Sequence, residues 1–313
     1  MATMNKRLGG WSRPALIVTL TAVLAVPAVG QNPQRTPREK ETITLTTKDG
    51  VQLKATYYPS KAGKEATPVV LLHDYKGSRH ELDWFAGQFL QEFEPSFAVI
   101  VPDLRGHGES TQQQLPGGRV RELDSDRFRR NDFANMVQFD LEAVRKFLVE
   151  QNNENKLNLN KLAVVGAGMG ATVGLLWTYR DWSAPPLATG KQGQDVKAVA
   201  LISPEWSYKG LPVVAAMNHP LVRVVSALVA YGSQDSSAER DAERIHNIFE
   251  RAHPPFDASQ GKERQEVFLV PRGTTRQGGE LLLGDEAVGA AVRDFLVNRA
   301  VKQDFPWSKR GTD

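Results

Sequence analysis

The sequence predicts an α/β protein, with a mostly parallel sheet of eight strands and helices on both faces. Short apolar runs typical of strands buried on both faces, such as Pro68–Leu72, Phe97–Val101 and Leu162–Val165, alternate with helical stretches. Strands that alternate with helices along a chain form mostly parallel sheets. The domain opens differently, because two alternating runs flank Asp49-Gly50 and predict a β-hairpin.

Composition and charge exclude several classes of protein. The 313 residues include 39 basic and 36 acidic side chains, and the excess comes from Lys6, Arg7 and Arg13. The remainder is neutral, so nucleic-acid binding is not predicted. The absence of cysteine excludes disulfides, thiolate zinc sites and a cysteine nucleophile. No internal repeat is visible.

The first 30 residues have the build of a secretory signal peptide. Basic residues precede the apolar run Ala15–Val29, and the small residues Ala28 and Gly30 precede a cleavage site at Gln31. The run is shorter than the roughly 20 residues that span a bilayer. We therefore expect a secreted or periplasmic protein with no stable membrane insertion after cleavage, and an uncleaved anchor is the alternative.

The sequence divides into four segments. A signal peptide at 1–30 precedes a polar, proline-containing linker at 31–40. The alternating strands and helices occupy a domain at 41–301, and a C-terminal tail at 302–313 follows.

The stretch Lys161–Gly174 predicts a buried strand, a glycine-packed turn and the start of a helix. Two kinds of site have this shape. One is the nucleophile elbow G-x-S-x-G, whose central position would be Gly168. The other is the dinucleotide fingerprint G-x-G-x-x-G/A, met by Gly166, Gly168 and Ala171. Context disfavours the second, because four strands precede the turn and no acidic residue ends a strand about 20 positions later.

The order of the elements favours the elbow. From Thr42 to Ala300 the chain resembles the α/β-hydrolase superfamily, and within it small serine esterases and serine aminopeptidases. The resemblance is carried by a loop at His73, the run Asp103–Ser110 with sequence DLRGHGES, the elbow, and the strand–helix units that follow. Only about 20 residues separate Ser203 from the next strand, so no large lid is expected.

The resemblance implies positions for the catalytic groups, and two of them lack the required chemistry. The nucleophile falls on Gly168 and the histidine on Gln277, whereas Asp235 supplies the acid. Glycine has no side chain, and glutamine accepts no proton near neutral pH. We expect Asp235 to be a relict acid, bonded to Gln277 or to solvent. By the same resemblance, the oxyanion hole consists of the N–H groups of Met169 and Tyr75.

The sequence thus predicts a pseudoenzyme: a serine hydrolase homologue without catalysis. Intact backbone donors and the positive end of the helix near Met169 would suit a small acyl, ester or anionic ligand, and a protein partner is the alternative. No cofactor and no metal are expected. Three further possibilities stay open: a hydrolase using Ser203 or Ser233, a dinucleotide-binding oxidoreductase, and a missing group donated by a neighbouring chain.

Other residues carry structural expectations. His73 and His107 belong to turns found across the superfamily, and we expect both to be structural. His246 lies on a charged helix and should be solvated. Glycine relieves the strain of an elbow, so Gly168→Ser should lower stability slightly.

Overall fold

The computed structural model describes residues 40–185, 191–257, 261 and 264–311. These residues belong to one unit, Arg38–Asp313. The predicted signal peptide at 1–30 and the linker up to residue 39 lie outside the described residues and stay predictions.

Eight strands form the central sheet, which confirms the predicted fold class. The strands are β1 (Glu41–Thr46), β2 (Gln52–Tyr58), β3 (Thr67–Leu72), β4 (Phe97–Pro102), β5 (Leu162–Ala167), β6 (Val196–Ile202), β7 (Ser226–Gly232) and β8 (Val267–Arg272). Their spatial order is β1-β2-β4-β3-β5-β6-β7-β8. The pairs β1–β2 and β2–β4 are antiparallel, and every other neighbouring pair is parallel.

Helices cover both faces of this sheet. They are α1 (Arg130–Asn135), α2 (Leu141–Asn153), α3 (Met169–Ser183), α4 (Val214–Asn218), α5 (Ser236–Glu250), α6 (Gly278–Gly284) and α7 (Glu286–Leu296). Segments of π-helix occupy Phe85–Gln91, Met136–Asp140 and Val297–Val301, and 3₁₀ turns occupy Gly63–Glu65, Arg79–Leu82, Ser125–Arg127 and Leu159–Lys161. Because Met136–Asp140 joins α1 to α2, residues 130–153 run as one helical segment with a π-helical centre.

Two apolar cores, one on each face, follow from the alternation of side chains along the strands. Val70 and Leu72 of β3 point into the core beneath α1 to α5. Val69 and Leu71 point to the opposite face, where α6 and α7 pack. All four are buried. Burial on both faces explains why these residues form a continuous apolar run, as expected of a central parallel strand.

The sheet order places a crevice beside the end of β3. Its neighbours β4 and β5 lie on opposite sides of it, and the chain leaves β3 and β5 at the same edge of the sheet because they are parallel. Ligand sites of open α/β sheets lie at such reversals of strand order. The residues after Leu72 and Ala167 therefore meet where a site is expected.

Three local features add to or differ from the sequence prediction. The polar stretch 111–130 contains a hairpin of Gln112–Gln114 with Val120–Glu122. The segment predicted as a C-terminal tail contacts the domain as far as it is described, because Arg310 is buried and its Nη2 donates to Asp195 Oδ1 at 2.6 Å. His246 is buried at 7% exposure rather than solvated, since it lies on the inner face of α5.

Neither a membrane-spanning helix nor a metal-binding cluster is found among the described residues. None of the helices at 40–185, 191–257 and 264–311 is long and apolar enough to cross a membrane. Within the same ranges, no group of three or more histidine, cysteine, aspartate or glutamate side chains could hold a metal ion.

Candidate active site

The glycine-packed turn follows β5 and opens α3, as the sequence predicts. Gly168 lies between them with φ of 50° and ψ of −111°, backbone angles that glycine reaches more easily than other residues. Its N–H donates to the Ile202 carbonyl oxygen at 2.8 Å. A β-carbon on Gly166 or Gly170 would lie less than 3.0 Å from neighbouring backbone atoms. The turn therefore has the close strand-to-helix packing of a nucleophile elbow, without a side chain at its centre.

The two expected oxyanion-hole donors converge on one acceptor, which the chain itself provides. Asp74 Oδ1 accepts the N–H of Tyr75 at 2.6 Å and the N–H of Met169 at 2.9 Å. Gly279 N–H donates to Asp74 Oδ2 at 3.4 Å. The positive end of α3, which begins at Met169, also favours a carboxylate here. Both N–H groups therefore bond to Asp74, and the expectation that they are free for a ligand is wrong.

Two glycines make room for this carboxylate. A β-carbon built on Gly168 would lie less than 3.0 Å from Asp74 Oδ1, and one on Gly278 would lie equally close to Asp74 Oδ2. Both glycines have positive φ, of 50° and 52°. The side chain of Asp74 thus takes the volume that side chains at 168 and 278 would need.

Gln277, at the expected histidine position, lies next to the elbow. Its Oε1 accepts from Ser203 Oγ at 2.6 Å and from Gly232 N–H at 3.1 Å, and its Nε2 donates to the Gly232 carbonyl oxygen at 2.7 Å. The N–H of Gly278 donates in turn to Ser203 Oγ at 3.0 Å. The three bonds to Ser203 and Gly232 fix the amide, and an amide has no role as a base.

Of the two partners expected for Asp235, Gln277 is wrong, whereas solvent stays open because the residue is exposed. Its Oδ1 accepts the N–H groups of Ser237 at 2.8 Å and Ala238 at 3.1 Å, as the N-cap of α5. Among the described contacts, both polar atoms of the Gln277 amide are taken by Ser203 and Gly232.

The two serines considered as displaced nucleophiles have partners that accept no proton for catalysis. Ser203 is buried with φ of 51°, and its Oγ lies between Gln277 and the Gly278 N–H. Ser233 Oγ donates to the Arg272 carbonyl oxygen at 3.1 Å. An activated serine needs an adjacent base, and the described hydrogen bonds of both hydroxyls supply none.

His73 positions the Asp74 backbone. Its Nε2 accepts the Leu104 N–H at 3.0 Å, so its Nδ1 carries the proton and donates to the Asp74 carbonyl oxygen at 2.7 Å. Burial lowers the pKa of His73 and keeps the ring neutral. The structural role expected of this histidine agrees with these contacts. Sequence reasoning missed Asp74 itself, and its position between His73 and the donor Tyr75 was the available signal.

The sequence model of the α/β-hydrolase-fold family matches residues 67–236, which are more than half of the chain. The protein belongs to the α/β-hydrolase-fold family. The matched range contains the elbow and Asp74. None of the curated protein sequences matches this one significantly.

Solved structures agree on the fold. An esterase of Pyrococcus furiosus is 16% identical, with a TM-score of 0.56 over 84% of this chain and 93% of its own. A dienelactone hydrolase of Anabaena variabilis is 15% identical, with a TM-score of 0.55 over 85% and 97%. The Est1E protein of Butyrivibrio proteoclasticus, solved with ferulic acid, is 16% identical, with a TM-score of 0.53 over 83% and 100%. At identities this low, the comparisons show a shared fold and nothing about activity.

Family membership removes the dinucleotide interpretation of Gly166, Gly168 and Ala171. The glycine turn follows the fifth strand of the sheet. The start of α3, which would bind a pyrophosphate, donates to Asp74 instead.

Proposed function

We propose that this protein is an exported, non-catalytic α/β-hydrolase-fold protein that binds a small molecule or a protein partner at the crevice beside β3. The supporting observation is that Asp74 Oδ1 accepts both N–H groups of the oxyanion hole. Export rests on the signal peptide predicted at 1–30.

The chemistry of ester hydrolysis argues for the absence of catalysis. The reaction needs a nucleophile, a base and donors for the developing oxyanion. Gly168 and Gln277 supply neither of the first two, and the donors already hold a carboxylate. In serine proteases, loss of one such donor costs about 10²–10³ in rate. Here an incoming oxyanion would have to displace a negative charge held at 2.6 Å and 2.9 Å.

The position of the crevice supports binding. It lies at the reversal of strand order, where this class of sheet holds its ligands. Three clefts elsewhere on the described surface are lined by residues other than Asp74, Gly168 and Gln277. We expect the binding surface at the crevice to consist of the side chains around Asp74.

A fluorophosphonate probe and a p-nitrophenyl ester test the proposal. The purified protein should stay unlabelled and hydrolyse the ester no faster than buffer. The matched control is Ser203→Ala with Ser233→Ala, which should behave identically. Stable labelling of the unchanged protein, at a serine located by mass spectrometry, would establish a displaced nucleophile and contradict the proposal.

A set of variants tests the site assignment. Gly168→Ser with Gln277→His should stay inactive while Asp74 is present, because Asp74 occupies the volume of the new serine. Adding Asp74→Gly should give a protein that reacts with the probe. Equal reactivity of the double and triple variants would show that Asp74 does not close the site.

A further inference from the structure

Three aromatic rings beside Asp74 surround the ammonium group of Lys209. Its Nζ lies 3.4 Å from the ring centroid of Tyr75, 5.4 Å from that of Phe133 and 5.8 Å from that of Tyr208. The centroids of these rings are 5.3 to 6.4 Å apart. We call Tyr75, Phe133 and Tyr208 the aromatic cage. Such rings attract cations through their negative faces, and cages of this kind hold alkylated ammonium groups.

The surroundings of the cage are acidic. The Tyr75 hydroxyl donates to Asp126 Oδ1 at 3.1 Å. Burial raises the pKa of Tyr208, and the negative charges of Asp74 and Glu205 raise it further. With the oxyanion hole filled by Asp74, the crevice favours positive rather than negative ligands.

Tyr208 carries an unsatisfied polar atom. It is 6% exposed, and its hydroxyl has no hydrogen-bond partner within the described part of the chain. A buried hydroxyl without a partner costs about 1–3 kcal/mol, so it indicates a place for a ligand or water.

The contacts of Lys209 allow another cation to displace its ammonium group from the aromatic cage. It lies in the exposed turn between the short strands Ser207–Tyr208 and Leu211–Pro212, with φ of 43°. Across the described contacts, its ammonium makes no hydrogen bond or ion pair, and the rings are its neighbours. A tethered cation of this kind competes with a free one at an effective concentration in the millimolar range.

We propose that the aromatic cage binds an organic cation, an alkylated or quaternary ammonium group, in the place where the Lys209 ammonium now lies. Asp74 and Glu205 are the countercharges of the bound cation. The proposal rests on the crevice being a binding site, as proposed above, and it replaces the acyl or anionic ligand that the sequence led us to expect.

The test is a calorimetric or NMR titration with tetramethylammonium chloride at constant ionic strength. Lys209→Gly removes the competing cation and suits the positive φ of this position. We expect it to bind the probe at least about tenfold more tightly than the unchanged protein, because the tethered competitor is gone. Lys209→Arg keeps a tethered cation and should bind as weakly as the unchanged protein.

Three controls assign the site. tert-Butanol, similar in shape but neutral, should not bind. Lys64→Ala removes another lysine lying over a ring, 4.0 Å from that of Trp307, and should leave affinity unchanged. Tyr75→Leu added to Lys209→Gly should abolish binding, with a melting curve confirming that the double variant is folded.

The outcomes separate this proposal from the preceding one. No binding to folded Lys209→Gly, equal binding of tert-butanol, or binding that survives Tyr75→Leu overturns the cation site and leaves the absence of catalysis intact. Labelling of the unchanged protein by the fluorophosphonate contradicts the absence of catalysis, whereas a cation bound in the cage would still support this inference.

Discussion

The elbow and the Gln277 position are neighbours at the same edge of the sheet, and they differ in how their space is filled. At the elbow, a charged side chain from the loop after β3 fills the space, and two glycines have no room for side chains. At Gln277, a neutral amide bonds to Gly232 and Ser203 from its own position. The comparison shows that the elbow is determined by volume and charge, and the Gln277 position by hydrogen bonds.

The largest expected effect tests the volume argument. Gly168→Ala should cost about 3 kcal/mol or more, because it combines overpacking with a strained backbone. In an Asp74→Gly background, the cost should fall to about 1–2 kcal/mol of strain. Denaturant unfolding of the four proteins gives the coupling. Equal costs in both backgrounds would contradict the tight packing of Asp74. The structure thus corrects the slight effect that the sequence led us to expect of Gly168→Ser.

The stability of the folded protein also depends on a neutral His107, which predicts that stability varies with pH. Burial, and then the neighbouring His73, lower the pKa of His107 from 6.5 to about 4. Above pH 6.5 the stabilisation is fully present. As the pH falls from 6.5 to 4, the unfolded chain binds a proton that the folded chain does not, so stability falls by roughly 3 kcal/mol.

The measurement for His107 is the difference in unfolding free energy between the unchanged protein and His107→Gln at several pH values. Titrating groups that do not interact with His107 cancel in this difference, whereas His73, whose ring centroid lies 5.1 Å away, does not. The difference should be constant above pH 7. It should shrink toward pH 4 because the unchanged protein loses stability there. A difference that does not vary with pH would show that the ring is accessible to protons.

The hydrogen bonds of Gln277 predict a smaller effect. Gln277→Ala leaves the Gly232 N–H, the Gly232 carbonyl and Ser203 Oγ without this partner, and should cost about 2 kcal/mol. Gln234→Ala is the matched control, because that exposed amide makes one bond, to the Gly273 carbonyl oxygen at 3.2 Å. Thermal or denaturant melts compare the two. A cost at Gln277 no larger than at Gln234 would refute its structural role.

The smallest effect concerns Asp235. Because it caps α5, Asp235→Ala should lower the unfolding free energy by about 1 kcal/mol. Asp235→Asn keeps a capping oxygen and should be nearly neutral. If Asn were as costly as Ala, the charge of Asp235 would matter beyond the cap.

Much of the fold and part of the site follow from sequence patterns. Apolar runs, an Asp-Gly turn and a glycine-rich turn predict the succession of strands and helices along the chain. Parallel strands then bring Tyr75, Met169, Gly168 and Gln277 to one edge of the sheet. The direction of the Asp74 side chain does not follow, because it depends on free volume beside two glycines 94 and 204 positions away, at 168 and 278.

Other differences have similar causes. Arg310 is buried against Asp195, and a pairing over that distance has no local pattern. The burial of His246 depends on which face of a charged helix packs against β7 and β8. The cage around Lys209 joins rings from three separate parts of the chain, so sequence spacing could not reveal it.

The carboxylate of Asp74 has a consequence for comparing related proteins. Cleavage of an ester leaves an acid, and this chain holds a covalently attached acid on the N–H groups of Tyr75 and Met169. Because that acid is part of the chain, no dilution or dialysis can remove it. A screen that scores hydrolase sites by donor geometry alone would not register this acceptor, which distinguishes the site together with the glycine at 168 and the glutamine at 277.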